Sequence, residues 1–159
     1  MSNYLSQTRY DLRFSMPRPL DSLEAALERC RECNLRLSRQ RRYILELLWQ
    51  CGEHLSAREI YDRLNQQGKP IGHTSVYQNL EALASHNIVE CLDRADGRRY
   101  GNRTHPHSHV NCLDSNRILD VDVELPPELL AQVEQQTGTR IQSYRIEFFG
   151  VEKPAEPQQ

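Results

Sequence analysis

A chain of 159 residues with 38 % hydrophobic and 26 % charged side chains can fold as one domain or two small ones with a genuine core. No apolar run approaches the roughly 18 residues of a membrane span. Residues 1–20 carry Arg9, Arg13 and Arg18 without an apolar stretch, which argues against a secretory signal and sets the expectation of a cytoplasmic protein. The net charge of -2 gives no overall nucleic-acid signature but is unevenly spread: +2 over residues 1–20, +1 over 21–103 and -5 over 104–159, so only the first two thirds suit a phosphate partner. Five cysteines, at 30, 33, 51, 91 and 112, make no even disulfide framework and read as free, redox-active or metal-bound thiols.

Residues 1–20 show no steady period and read as an N-terminal arm. Asp21-Ser-Leu-Glu24 has the form of a capping box, and Leu23, Ala26, Leu27 and Cys30 follow at helical spacing until Asn34, which can close the helix in the left-handed region. Ser38 caps a second helix with a stripe of Ile44, Leu47, Leu48 and Cys51, ended by Gly52. A second capping box, Ser56-Ala-Arg-Glu59, opens a third helix with Ile60 and Leu64 inward, closed at Gly68-Lys-Pro70. A fourth starts near Thr74, buries Val76, Leu80 and Leu83, and stops around His86-Asn87. Val89-Glu-Cys-Leu92, a turn at Asp96-Gly97 and Arg98-Arg99-Tyr100 then read as a short hairpin.

Short helices followed by a basic-tipped hairpin are the layout of a winged helix-turn-helix DNA-binding domain, here residues 21–102. Its reading helix would be His73 to Leu80, with Ser75, Tyr77, Gln78 and Asn79 toward solvent or polar flanks. Gln and Asn can read adenine edges, and Ser or Tyr can bond phosphate. The plainer alternative is an ordinary helical domain with a polar face.

Next comes His105-Pro-His-Ser-His-Val-Asn-Cys112, which holds half of the six histidines at alternate positions. On an extended strand, residues i, i+2 and i+4 share a face, so His105, His107 and His109 can point the same way and bind a metal; the alternative is a polar loop. Arg117 to Val123 reads as a strand. Pro126-Pro127 starts a helix through Leu129, Leu130 and Val133 that Gly138 ends, and Arg140 to Phe149 is β-rich with Ile146 and Phe148 alternating inward. This small α/β unit, residues 103–150, is marginal by size and expected to be completed by a second copy as a homodimer. Pro and Glu dominate residues 151–159, which read as a disordered tail. The expected fold class is therefore α+β.

These residues carry a family resemblance. Leu35-Arg-Leu-Ser-Arg-Gln-Arg-Arg-Tyr-Ile-Leu45, Glu53-His-Leu-Ser-Ala-Arg-Glu-Ile-Tyr61, Ser75-Val-Tyr-Gln-Asn-Leu80, the His-x-His with Cys112 beyond it, and Tyr144-Arg-Ile-Glu-Phe-Phe-Gly150 resemble the ferric-uptake-regulator superfamily over roughly residues 21–150. The resemblance implies a homodimeric, metal-dependent transcription regulator with an N-terminal winged helix and a C-terminal dimerisation domain, acting on double-stranded promoter DNA. It places a regulatory metal, iron(II) or manganese(II) with zinc as a further option, on His54, His107, His109 and Asp120. Such a metal would join two domains and favour the DNA-competent arrangement by its differential affinity. Asp120 is similar to the peroxide-sensing branch, where iron-responsive members more often carry Glu. On the DNA side, Tyr77 matches a helix residue that contacts DNA and Arg36 a basic position that reaches the minor groove, whereas Gln78 stands where the family often has Arg.

Two departures qualify these implications. The family's structural zinc uses two Cys-x-x-Cys pairs; here the first reads Cys112-Leu-Asp-Ser115 and no cysteine follows Gly150, so that four-cysteine zinc is expected to be absent. The position that usually supplies an acidic ligand upstream of the histidines is Gly101. Either the site has four protein ligands or His105 fills in, and His105 would make the set nitrogen-rich and favour zinc. Cys30-Arg-Glu-Cys33 is outside the family pattern and is either a metal or redox pair on one helix face or a core cysteine with a marginal neighbour. No His-Glu-x-x-His and no acid placed as general base accompany the histidines, so no enzyme is expected. The functional expectation is a metal-dependent, peroxide-responsive repressor, with iron, zinc or manganese homeostasis regulation and cytosolic metal buffering as alternatives.

Overall fold

Side-chain caps set the starts of the first three helices. In the computed structural model, which describes residues 20–102 and 107–154, Ser22 caps α1 (Leu23–Glu32) by accepting from the Ala25 N–H at 3.1 Å. The cap is thus one residue later than the sequence pattern suggested, and Asn34 closes the turn at φ 53°. Ser38 caps α2 (Arg39–Cys51), and Gly52 ends it at φ 62°, a conformation that glycine adopts without a Cβ clash. The Ser56–Glu59 capping box forms in both directions at the start of α3 (Ala57–Gln66). Gly72 is the N-cap of α4 (His73–Ser85), and Asn87 follows at φ 53°. The serine caps at Ser22, Ser38 and Ser56 are each worth about 1 kcal/mol.

The four helices bury one core of Ile44, Leu45, Leu48, Ile60, Leu64, Val76, Leu80 and Leu83, each essentially inaccessible. Cys30 is fully buried in that core, where desolvation raises its thiol pKa, and Cys33 is half-buried; Cys51 and Cys91 pack against the same core. Strands β1 (Glu90–Arg94) and β2 (Gly97–Gly101) form the expected antiparallel hairpin, with Glu90 opposite Gly101 and Cys91 opposite Tyr100.

A second sheet has the order β4-β3-β5, built from β3 (Ser108–Cys112), β4 (Ile118–Val121) and β5 (Glu147–Gly150). β3 runs antiparallel to β4 and parallel to β5. The segment Glu53-His54-Leu55 sits between the two sheets. His54 donates its N–H to the Ile118 carbonyl at 3.1 Å, while Leu55 exchanges two backbone hydrogen bonds with Tyr100 at 2.9 and 2.8 Å. Winged helix and second sheet are therefore parts of one compact unit, Leu20–Val123 with residues 145–154.

Residues Glu124–Tyr144 fall in a different unit. They contain α5 (Pro127–Thr137), which has Pro at its start and Gly138 at φ 66° as its stop, as the sequence indicated. Only Leu130 of its apolar residues is buried; Leu129 and Val133 are exposed. The β-rich reading of residues 140–149 also needs correction. Only the last four-residue strand forms, and Phe148, expected inward, is 43 % exposed. Among the described residues, no helix is long and apolar enough to cross a membrane.

Candidate functional site

The extended backbone explains how β3 presents its histidines. His107 precedes the strand and His109 lies within it, two residues apart and so on one face. Directly opposite His109 on β4 is Asp120, and on β5 its partner is Glu147; cross-strand partners share a face. His54 enters from the inter-sheet segment and lies 2 % exposed, beside His109 at 1 %. The three imidazole centroids are 6.1 Å (His54–His107), 5.0 Å (His54–His109) and 4.5 Å (His107–His109) apart.

Two carboxylates close the cluster. Asp120 Oδ1 is 3.1 Å from His54 Nδ1, 3.1 Å from His107 Nε2 and 3.7 Å from His109 Nε2. Glu90 Oε2 is 2.6 Å from His54 Nε2, 3.2 Å from His107 Nε2 and 3.6 Å from His109 Nε2. One ligand atom each from His54, Glu90, His107 and His109 falls within a 4.8 Å span. Burial works against ionisation of Glu90 and Asp120, but the surrounding imidazoles outweigh it and hold both carboxyls far below the usual range. For His54, burial opposes protonation, yet Asp120 and Glu90 raise its pKa.

The arrangement fits a divalent cation for two reasons. Both ring nitrogens of His109 and Nδ1 of His54 are buried without an aligned hydrogen bond, although carboxylate oxygens lie 3.1–3.7 Å away. Buried polar atoms are rarely left so. Of these, Nε2 of His109 and Nδ1 of His54 gather with Nε2 of His107 around Asp120 Oδ1, as the ligands of a metal do, while Nδ1 of His109 faces Glu147. The donor set, imidazole nitrogen plus carboxylate oxygen, suits iron, manganese and zinc. On the far side of His109, Glu147 is already engaged: it accepts from Asn111 at 2.7 Å and pairs with Arg94 at 3.3 Å.

All four expected ligands in the described residues, His54, His107, His109 and Asp120, thus come together; the possible fifth, His105, lies outside the described residues. The reading from sequence missed Glu90. Its signal was weak, because a lone acid at the first position of a hairpin strand reads as solvated until its register against Gly101 is known.

Along α4, Tyr77 is 58 % exposed, Gln78 is exposed and Ser75 half-buried; Ser75 also meets Gln40 of α2 through its hydroxyl. Arg36 is exposed in the loop before α2. Asn79 differs from expectation: it is 8 % exposed, and its amide donates to the Ser75 carbonyl at 2.8 Å. The reason is helical spacing, since Val76, Asn79, Leu80 and Leu83 lie on one face.

The sequence profile described as "Ferric uptake regulator family" matches residues 32–149. A peroxide-responsive repressor, PerR, of Staphylococcus aureus is 28 % identical over 130 residues, covering 81 % of this chain and 88 % of its own. Among solved structures, the Helicobacter pylori ferric uptake regulator superposes with a TM-score of 0.65 at 28 % identity, covering 86 % of this chain and 95 % of its own. A zinc-bound manganese uptake regulator superposes with a TM-score of 0.66 at 27 % identity, covering 80 % and 98 %. With a profile match across most of its length, a shared fold and a histidine–carboxylate cluster, the chain belongs to the ferric uptake regulator family, whose members are transcriptional regulators and not enzymes.

Proposed function

We propose that this protein is a repressor that binds promoter DNA as a homodimer when a divalent metal occupies the histidine–carboxylate cluster, and that peroxide is the signal releasing it. The observation that carries the reading is the convergence of His54, between the two sheets, with His107, His109 and Asp120 from the second sheet. A metal held by these four residues would tie the inter-sheet segment, and with it the winged helix, to the second sheet. Because it binds that arrangement better than others, it shifts the population toward the form that fits DNA.

Tyr77, Gln78, Ser75 and Arg36 are the candidate DNA contacts, and Asn79 supports α4 from within. Tyr77→Ala should weaken promoter binding about tenfold or more while leaving metal binding intact, the discrimination typical of losing one good contact. For the dimer, β5 is an edge strand among the described residues, with Phe148 and Phe149 exposed at 43 % and 67 %, an apolar edge of the kind that pairs with another chain.

The peroxide reading rests on Asp120 and on the similarity to the S. aureus repressor. Iron(II) with nitrogen and oxygen ligands supplies redox chemistry that can oxidise a neighbouring histidine. The test is protein purified anaerobically, loaded with iron(II) or with manganese(II), and exposed to hydrogen peroxide before gel shifts and mass spectrometry of the His105–Asn111 peptide. The iron form should lose DNA binding and gain oxygen on a histidine, and the manganese form should do neither. Loss of DNA binding on metal depletion alone, with no response to peroxide, would instead make it a metal-homeostasis regulator.

A further inference from the structure

We propose that Glu90 is itself a ligand of this metal site, and that Gly101, its partner across the hairpin, is glycine because the ring of His54 occupies the space a side chain there would fill. The proposal deepens the metal-dependent reading above and rests on it. Glu90 is the first residue of β1 and Gly101 the last of β2, paired directly in the ladder. A Cβ built on Gly101 would stand 2.5 Å from Nε2 of His54 and 2.7 Å from both Cδ2 and Cε1, distances no real Cβ tolerates. That same Nε2 meets Glu90 Oε2 at 2.6 Å. A side chain at 101 and the Glu90–His54 contact thus compete for one volume, and the hairpin can bring an acid to this place from position 90 only while position 101 is bare.

Charge balance points the same way. Metal-binding histidines are neutral, so Asp120 alone would leave a buried divalent ion with a residual positive charge, which a low-dielectric site tolerates poorly. Glu90, with its side chain 20 % exposed, supplies the second negative charge. It contacts all three imidazoles, and the unbonded Nε2 of His109 faces it at 3.6 Å. The resulting set of three nitrogens and two oxygens favours manganese(II) and iron(II) more than a set completed by a fourth imidazole would.

The test uses full-length protein stripped of metal and titrated calorimetrically with manganese(II) and, separately, zinc(II). Wild type should bind about one manganese per chain. Glu90→Ala and Glu90→Gln should bind it at least about tenfold more weakly, with zinc weakened less, because the lost donor is a hard oxygen. Gly101→Ala, which keeps every donor atom, should weaken both metals by displacing His54. Asp93→Ala, an exposed carboxylate on the same strand, should change neither; circular dichroism of each metal-free variant confirms the fold. Wild-type affinity in both Glu90 variants overturns the assignment of Glu90. Equal losses of manganese and zinc make Glu90 a structural contact only and also overturn it. Wild-type affinity in Gly101→Ala overturns the account of Gly101. A wild-type protein that binds neither metal overturns the regulatory-metal reading instead.

Discussion

The histidine cluster and the turn between β3 and β4 lie at opposite ends of the same strand and solve different problems. The cluster gathers three imidazoles and two carboxylates in a buried place and leaves nitrogen atoms of His109 and His54 without hydrogen bonds. The turn, residues 113–117, sets its polar groups against residues 150–152 in hydrogen bonds. Ser115 Oγ donates to Glu152 at 2.6 Å, Arg117 donates to the same carboxylate at 3.1 Å, Glu152 N–H donates to Asp114 at 3.2 Å, and Leu113 N–H donates to the Gly150 carbonyl at 2.8 Å. Arg117 also pairs with Glu53 at 2.9 Å, which Arg63 holds from α3 at the same distance. Burial opposes ionisation of Glu53, but the two guanidiniums hold its carboxyl below the usual range. One end of β3 is complete from the chain's own groups; at the other, the proposed cation would complete the set. Where the sequence breaks the cysteine pair at Cys112-Leu-Asp-Ser115, the ends of β3 and β5 are joined by hydrogen bonds through Ser115 and Asp114.

The largest expected effect that separates the two ends is His109→Ala. It removes a buried ligand, so the rise in unfolding temperature that manganese(II) gives the wild-type protein should vanish; a variant stabilised as much as wild type would break the contrast. Chelation should act more mildly but in a localised way. With metal at about a hundred times its Kd, removal costs about 2.7 kcal/mol of stability. Hydrogen exchange should speed up at residues 107–109 and 118–121 and stay unchanged at 113–115 and 150–152. Acceleration of comparable size at the turn would show that it depends on the metal too. Ser115→Ala should be the smallest perturbation, lowering stability by about 1 kcal/mol in metal-free and metal-loaded protein alike, read by urea denaturation. A metal-dependent penalty there would mean that the two ends of β3 communicate.

Most of this fold was legible because it depends on local chemistry. Ser38, the Ser56–Glu59 box, Gly52, Asn34 and Gly138 stand at helix ends for reasons readable over four or five residues. His107 and His109 were legible as a pair because alternation fixes a strand face. Glu90 was not, since its meaning arises only when β1 pairs with β2 and when His54, 36 residues earlier, arrives between the sheets. Asn79 shows the opposite case: a polar side chain expected toward solvent is buried, because its spacing from Val76 and Leu83 puts it on the inner face of α4. The inward direction expected of Phe148 failed because alternation along a four-residue edge strand does not say which face meets the rest of the chain.

The central claim is that the cation-completed end of β3 controls DNA binding. It is tested most directly by fluorescence anisotropy of labelled promoter DNA with metal-free protein, titrated with manganese(II) under anaerobic conditions. The account predicts weak binding without metal and a gain of at least about tenfold on adding it, equivalent to about 1.4 kcal/mol of coupling. Equal DNA affinity in the two states would contradict it.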